Sequence, residues 1–431
     1  MFVLTVALPT SVLIAQTIRI VLAEMWGASP ETSKIQRAIW LDPANPELHY
    51  SLGGNYLLGT ERAGLEESVE EFRKATKLNP HSSVYWSGLA MACYAAGEQS
   101  CAGEAFHKAA ELAPSNPYRV WEAAVNDVIS GRRREAVAQL KRYVELQPDR
   151  ASTAFELLLR HFEEYDVIRN DLLGATANIN ARLAYLDFLA AGKRFDLAGS
   201  YWAEMVAARS GVPFAGVKPY LERLIACGHY AEAAQLWSYL EKTGVVANVP
   251  HLDENLVFNG NFEREPLDAG FDWRYQQQRF LNLDFSSQPA HSGARALRVD
   301  FTSPQNLEYE PVIQLVPMAP NESYLLTAYV KSDGITSDSG PRFRVSDPQC
   351  PACLNTATEG VTGTTSWHQV ALRFTTGPET EVVRISIWRP RSRSFPMEIS
   401  GTAWFDDVSL RPVQPGSEQQ FPNKHSLKIE R

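Results

Sequence analysis

The sequence predicts two folds in series: an all-α superhelical solenoid of stacked helical hairpins, then an antiparallel β-sandwich of the jelly-roll type. Three observations predict this. Pro80, Pro114 and Pro148 recur every 34 residues at the ends of Ala-rich stretches whose apolar residues keep helical spacing. That spacing stops near residue 250. From Asn255 onward Gly, Pro, Ser and Thr rise, and apolar residues alternate with polar ones as they do along a half-buried strand.

Bulk composition sets the outer limits. At 431 residues, with 45% hydrophobic and 21% charged residues, the chain has room for two or three globular domains. A net charge of −9 argues against a general nucleic-acid binder, which carries a basic stripe or domain. Of the five cysteines, Cys93, Cys101 and Cys227 sit at helix-packing positions. Cys350 and Cys353 form a C-x-x-C in a polar loop of the β part. One such pair cannot complete a four-ligand zinc site, and no βαβ pattern surrounds it as a thioredoxin-type motif requires. A small loop disulfide is the expectation, which needs an oxidising compartment, with free thiols as the alternative.

Residues 1–23 are mostly apolar and uncharged as far as Ile18, a run just long enough to span a bilayer. Val21-Leu22-Ala23 before Glu24 also has the shape of a signal cleavage site. The positive charges Arg19, Lys34 and Arg37 all lie after the run, which by the positive-inside rule opposes export of the rest of the chain. Membrane anchor and cleaved signal are the two expectations, with a buried first helix of the solenoid as the alternative.

The clearest helical unit runs from His81 to Pro114. Trp86, Leu89, Ala90 and Cys93 share one helix face, Gly97 marks the turn, and Ala102, Phe106 and Ala109 form a second face. Leu52, Gly53, Tyr56, Ser68, Phe72 and Ala75 repeat the pattern before it, and Ala123, Ala124, Ala136 and Leu140 after it. Ala38 and Pro43 fit the end of a still earlier unit. This succession of large aromatic, Leu, small residue, then Ala, Phe, Ala, Pro resembles the tetratricopeptide repeat. Residues 31–150 are read as such repeats and 151–245 as degenerate hairpins of the same kind, with pairs at 181–191/195–208 and 217–227/230–242. The resemblance implies a surface for a protein partner; a spacer role is the alternative. Arg132-Arg133-Arg134 is read as a solvated turn.

In the β part, Tyr324, Leu326, Ala328 and Val330 share one strand face, as do Val370, Leu372 and Phe374, and Val383, Ile385 and Ile387. Asn255-Leu256-Val257-Phe258-Asn259-Gly260-Asn261-Phe262-Glu263, the stretch His291–Val299, Trp367-His368-Gln369-Val370 and the closing Phe405-Asp406-Asp407-Val408 stand in the order found in carbohydrate-binding modules of families 4, 9 and 22. Residues 253–412 resemble those modules. The resemblance implies a jelly roll and a structural calcium held by Glu263 and Asp406; carboxylates that cap turns are the alternative. Residues 413–431 are polar and expected to be disordered.

Sugar recognition needs aromatic platforms beside hydrogen-bonding groups on an exposed sheet face. Strand parity turns Trp388, Tyr329, Arg342, Arg344 and Arg384 outward, a set suited to an acidic or heavily hydroxylated polysaccharide. Trp273 and Tyr275 form a second patch, whereas Trp367 and Trp404 are expected in the core. The chain lacks G-x-S-x-G, H-E-x-x-H and a phosphate-cradling Gly loop. Asp406 and Asp407, adjacent on a strand, are expected to face opposite ways and so not to pair for glycoside hydrolysis. The sequence therefore reads as a non-enzymatic envelope scaffold without a catalytic cofactor. Its hairpins would hold a protein and its jelly roll a polysaccharide, in exopolysaccharide assembly or export. A scaffold whose jelly roll binds no sugar, and an accessory subunit of a carbohydrate-active enzyme, are the alternatives.

Overall fold

The computed structural model describes residues 2–59, 62–174, 178–208, 211–246, 255–395 and 397–413, with side chains from residue 15 onward except at 62–63. The tail after residue 413, expected to be disordered, lies outside them, as do the residues joining the helical and β parts. The chain divides into two compact units, Met1–Phe188 and Leu189–Arg431.

The first unit is all helix: α1 (Phe2–Gly27), α2 (Thr32–Leu41), α3 (Pro46–Leu58), α4 (Arg62–Leu78), α5 (Ser83–Ala96), α6 (Gln99–Leu112), α7 (Pro117–Ile129), α8 (Arg133–Leu146), α9 (Ala151–Phe162), a π-helical turn at Val167–Leu173, and most of α10 (Ile179–Ala191). Each helix from α1 to α8 packs against the next in the chain, which is how hairpins stack in repeat proteins. Helix starts are set by side-chain caps that satisfy exposed amides: Asn45, Ser82 and Asn116 accept from Glu47, Tyr85 and Tyr118. Most residues chosen by periodicity are buried as expected, with Leu89, Ala90, Cys93, Ala102, Phe106 and Ala109 all in the core, while Trp86 and Tyr56 are half-buried. Gly88 shows why small residues recur: a Cβ there would lie 2.5 Å from the Phe72 ring and 2.9 Å from Tyr50.

Two expectations change here. The end of the apolar N-terminal segment belongs to the fold, because Ala23 is buried with Ala38 and Leu48 and α1 pairs with α2 as the first hairpin. Among the described residues no helix is long and apolar enough to cross a membrane; the side chains of residues 1–14, within the stretch 1–23 where the anchor was expected, lie outside them. Cys93 and Cys101, expected only to pack, are joined in a disulfide across the α5–α6 turn. Cys350 and Cys353 are joined as well, and Cys227 is free.

The second unit joins α11 (Phe195–Ala207), α12 (Phe214–Ala226) and α13 (Tyr230–Lys242) to ten described strands. These are β1 (Arg274–Tyr275), β2 (Leu281–Ser287), β3 (Ala296–Ser303), β4 (Tyr309–Pro317), β5 (Ser323–Ile335), β6 (Arg342–Ser346), β7 (Asn355–Ala357), β8 (Gly363–Thr375), β9 (Val382–Arg389) and β10 (Ile399–Pro412). They form two antiparallel sheets, ordered β1-β4-β9-β6-β7 and β2-β3-β10-β5-β8. From β3 to β6 the chain crosses between sheets at every step, and again from β7 to β10, the connectivity of a jelly roll. The inward residues of both sheets, among them Val299, Val330, Phe405, Phe343 and Ile385, make one apolar core.

The unit begins about 60 residues before the change in sequence character. The reason is packing. Trp237 on α13 meets Phe258 and Phe271 edge-on at 5.3 and 6.1 Å, and Glu222 on α12 makes two hydrogen bonds to Arg274 of 2.7 and 3.0 Å. Glu222 also accepts the Gly270 amide, and at Gly270 (φ +59°) a Cβ would sit 2.3 Å from the Trp237 ring.

Candidate functional site

The sandwich has two outer faces, and the expected sugar-binding residues fall on both. Arg342, Arg344, Arg384 and Trp388 are together on the outer face of the β1-β4-β9-β6-β7 sheet, where Arg342 pairs with Trp388 and Arg344 with Ser386 across β6 and β9. Tyr329 is on β5 of the opposite sheet, so it does not join them.

The indole of the first face is held by its own contacts. Trp388 is only 8% exposed, with the Arg344 guanidinium 4.9 Å above its ring and its indole N–H donating to Glu308 at 2.7 Å. Arg344 also donates to Asn355, Ser386 donates to Glu310, and Glu310 lies 3.9 Å from Arg344 and 4.0 Å from Arg384. Burial draws the Arg342 guanidinium below the usual arginine range, and its Nε donates to the Gly340 carbonyl. Arg384 Nε is buried without a partner. Its charge lies near Tyr230 of α13, whose hydroxyl is pushed up by burial and held back by that guanidinium. Helix α13 packs on β4 of this sheet.

The second face, on β2-β3-β10-β5-β8, is different. Trp404 on β10 has Arg298 of β3 and Lys331 of β5 as cross-strand neighbours. Their charges lie 5.8 and 5.1 Å from its ring, within cation–π range. Tyr329, two residues from Lys331, carries the His291 ring stacked on it at 3.5 Å, and Trp367 meets His291 edge-on at 5.7 Å. The indole nitrogens of Trp367 and Trp404 are both buried without a hydrogen-bond partner. Trp367 and Trp404 therefore point to this face, Trp367 half-buried and Trp404 buried as expected, 9% exposed beneath the two cations; the parity that makes Ala403 and Phe405 inward makes Trp404 outward. Trp273, expected on a surface patch, is instead fully buried against Phe262 with its N–H on the Asn259 carbonyl, and Tyr275 packs on Phe285.

One end of this face is walled by the turn at residues 291–295. Asp406 accepts the amides of His291 and Ser292 at 2.8 and 3.1 Å and that of Asp407 at 2.8 Å. Glu263 accepts the amides of Ala294 and Arg295 at 2.7 and 2.9 Å. Gly293 is required between them, since its φ is +62° and a Cβ would lie 2.3 Å from the Glu263 carboxylate. Asp407 does not face away from Asp406. The ladder is bulged between Asp406 and Ser409 and Asp407 has φ +48°, which swings its carboxylate onto the same turn. There it meets His291 Nδ1 at 2.6 Å and the Ser292 hydroxyl at 2.7 Å. Burial, then the Asp407 charge, push Asp406 up to about 6.

These contacts bear on the implied calcium. Calcium takes six to eight oxygen ligands. Here the groups turned toward Glu263 and Asp406 are N–H donors, and neither belongs to a metal-compatible group of three side chains among the described residues. The pair fits a clamp on the turn and does not fit an oxygen cage. Sequence reasoning also missed Arg389, which is 1% exposed. It ties Ser339, Leu307 and Met397 carbonyls together at one end of the sandwich, and burial lowers its affinity for the proton. An arginine after an alternating strand gives no sign of this.

The chain is thus a set of helical hairpins followed by an antiparallel β-sandwich. Solved structures similar to it include one of CBM4 (17% identity, 36% of this chain and 99% of that one, TM-score 0.28). Another is YrrB, described as a TPR protein with an unusual peptide-binding site (15%, 51% and 90%, 0.28). A third is the enzymatically active domain of bacteriophage CBA120 tailspike protein 4 (13%, 37% and 21%, 0.26). No protein-family model matches the chain, and no curated protein does. Tetratricopeptide-repeat proteins and carbohydrate-binding modules are among its structural neighbours, as the motifs implied. At these scores the likenesses carry nothing about function, and the architecture rests on the chain's own helices and sheets.

Proposed function

We propose that this protein is a non-enzymatic binding scaffold of the cell envelope. Its β-sandwich takes a polysaccharide on the β2-β3-β10-β5-β8 face, and its hairpins take a protein partner. The observation that carries the sugar reading is the row of Tyr329, Trp367 and Trp404 beside cations, with two indole N–H groups left without partners. Flat rings supply stacking area, and unpartnered donors supply the hydrogen bonds that orient hydroxyls. On the helical half, Val84 and Tyr118 stand 34 residues apart at equivalent helix starts and are both exposed, as are Met91 and Tyr94. The position shared by Val84 and Tyr118, exposed and apolar in successive hairpins, suits an extended protein segment.

Two disulfides support an oxidising, exported setting. The Ser292–Asp407–His291 trio is arranged as a clamp on its turn. Its hydroxyl donates to the carboxylate and not to the imidazole, so the base that would activate a nucleophile is not in place. The test is glycan-array binding by the whole chain and by Trp404→Ala. Binding by the first that is lost in the second supports the reading; a folded wild type that binds no glycan removes it.

A further inference from the structure

Resting on that sugar-face reading, we infer that the ligand is an acidic polysaccharide, with Lys331 meeting its anionic group beside the Trp404 platform. Most charges on the face are already engaged. Arg298 donates to Asp300 at 2.8 Å, and Asp300 also accepts from Thr402 at 2.8 Å and Asn282 at 3.3 Å. Asp407 is held by His291 and Ser292. Lys331, by contrast, has no ion-pair partner among the described residues, and its ammonium rests on the Trp404 ring.

Around Trp404 the cation without an ion pair is Lys331, while Asp333, which accepts from Thr364, and the Tyr329 and Gln369 side chains supply acceptors on the same sheet; the indole N–H groups of Trp367 and Trp404 are buried donors without a partner. Ammonium and indole groups donate and cannot accept. A carboxylate or sulfate brings acceptors only, and it supplies the charge Lys331 lacks. Lifting the ammonium off the ring gives up only a weak cation–π contact, so the aromatic surface can open to a sugar ring as the anion arrives.

The experiment is a titration of the whole chain with a polyuronate, dextran sulfate and neutral xylan, at low and raised salt. The polyuronate is expected to bind about tenfold or more tighter than xylan, with the advantage shrinking as salt rises. Lys331→Gln should remove that advantage, bringing polyuronate affinity down to that for xylan, and Lys331→Arg should keep most of it. Dextran sulfate replacing the polyuronate as the tighter ligand, with the same Lys331 and Trp404 dependence, would assign the anion as sulfate in place of carboxylate and still support the inference. Polyanion binding that survives Trp404→Ala would show adhesion by charge and overturn it. Equal affinity for polyuronate and xylan would overturn the acidic preference and leave the sugar face standing. No binding to any of the three by folded protein would remove both.

Discussion

The two outer faces of the sandwich have similar composition, and their tryptophans Trp388 and Trp404 are alike in burial and in lying under a cation, but they differ in what their indole donors meet. Each carries tryptophan beside arginine or lysine on neighbouring strands. On the β1-β4-β9-β6-β7 face the indole N–H of Trp388 is bonded to Glu308, its ring lies under Arg344, and Glu310 gathers Ser386 and two arginines. On the other face the indoles of Trp367 and Trp404 have no partner, and Lys331 has no counter-charge among the described residues. Residue types alone therefore do not distinguish a binding surface from a finished one. What distinguishes them is whether the indole donors are used, since Arg384 Nε leaves a buried unpartnered donor on the first face as well; such a donor costs free energy that a ligand can recover.

The largest test of that contrast removes the helix side of the first face. Trp237 of α13 packs against Phe258 and Phe271, and truncating a buried aromatic costs about 3–5 kcal/mol. Trp237→Ala is expected to lower the unfolding free energy of the second unit by that order, read by denaturant titration. Its affinity for glycan at a temperature where it remains folded should match wild type. A parallel loss of glycan affinity would place the binding surface on the helix side and reverse the comparison.

Acidity separates the faces next, through the turn that walls one of them. Asp406 titrates near 6 in the fold, above the ordinary aspartate value of 3.8. A raised carboxyl binds its proton more tightly folded than unfolded. Its contribution is fully present below the unfolded value and is lost as pH rises through about 6. The stability difference between wild type and Asp406→Asn, which has no such titration, should therefore be larger near pH 4 than near pH 7. Thermal melts across that range check it. A difference that grows toward neutral pH would mean that the ionised carboxylate is what the turn amides hold best.

A conservative pair then compares the indoles directly. Trp388→Phe keeps a ring but strips a hydrogen bond to a carboxylate, a loss of about 1.5–3 kcal/mol. Trp404→Phe strips a donor that has no partner, so its cost should be smaller by about 2 kcal/mol. In glycan binding the order inverts: Trp404→Phe weakens it and Trp388→Phe does not. Equal stability losses would show that the Glu308 contact contributes nothing and that the faces differ less than their geometry states.

Much of the fold was legible because it derives from period. The 34-residue spacing placed the hairpins and the alternation placed the strands, and both depend only on which residues must turn inward. Parity turned Arg342, Arg344, Arg384 and Trp388 away from the core, but it did not show that their strands are neighbours or that Trp388 is buried. It could not say that Tyr329 is on the other sheet, because strand order is a long-range property. The bulge after Asp406 broke parity locally, so two adjacent aspartates came to face one turn. The boundary near 250 was a change of secondary structure and not of packing, which is why α11–α13 joined the sandwich unnoticed. The Cys93–Cys101 link was hidden because Cys93 fits a small-residue position in the repeat and is buried like one.

The smallest expected effect concerns calcium. An ion that binds only the folded state stabilises it by RT ln(1 + [L]/Kd), about 4 kcal/mol at a thousandfold excess over Kd. A calcium cage between Glu263 and Asp406 would therefore raise the melting temperature by several degrees when calcium replaces a chelator. The geometry argues for almost no change. Five backbone amides already point at these two carboxylates, from His291, Ser292, Ala294, Arg295 and Asp407. Turning carbonyls inward instead would mean reversing a turn that Gly293 holds at positive φ. Melting curves with excess calcium and with chelator should thus superimpose. A calcium-dependent rise that disappears in Glu263→Gln would show that the turn can reverse and that the amide clamp is the ion-free half of a metal site.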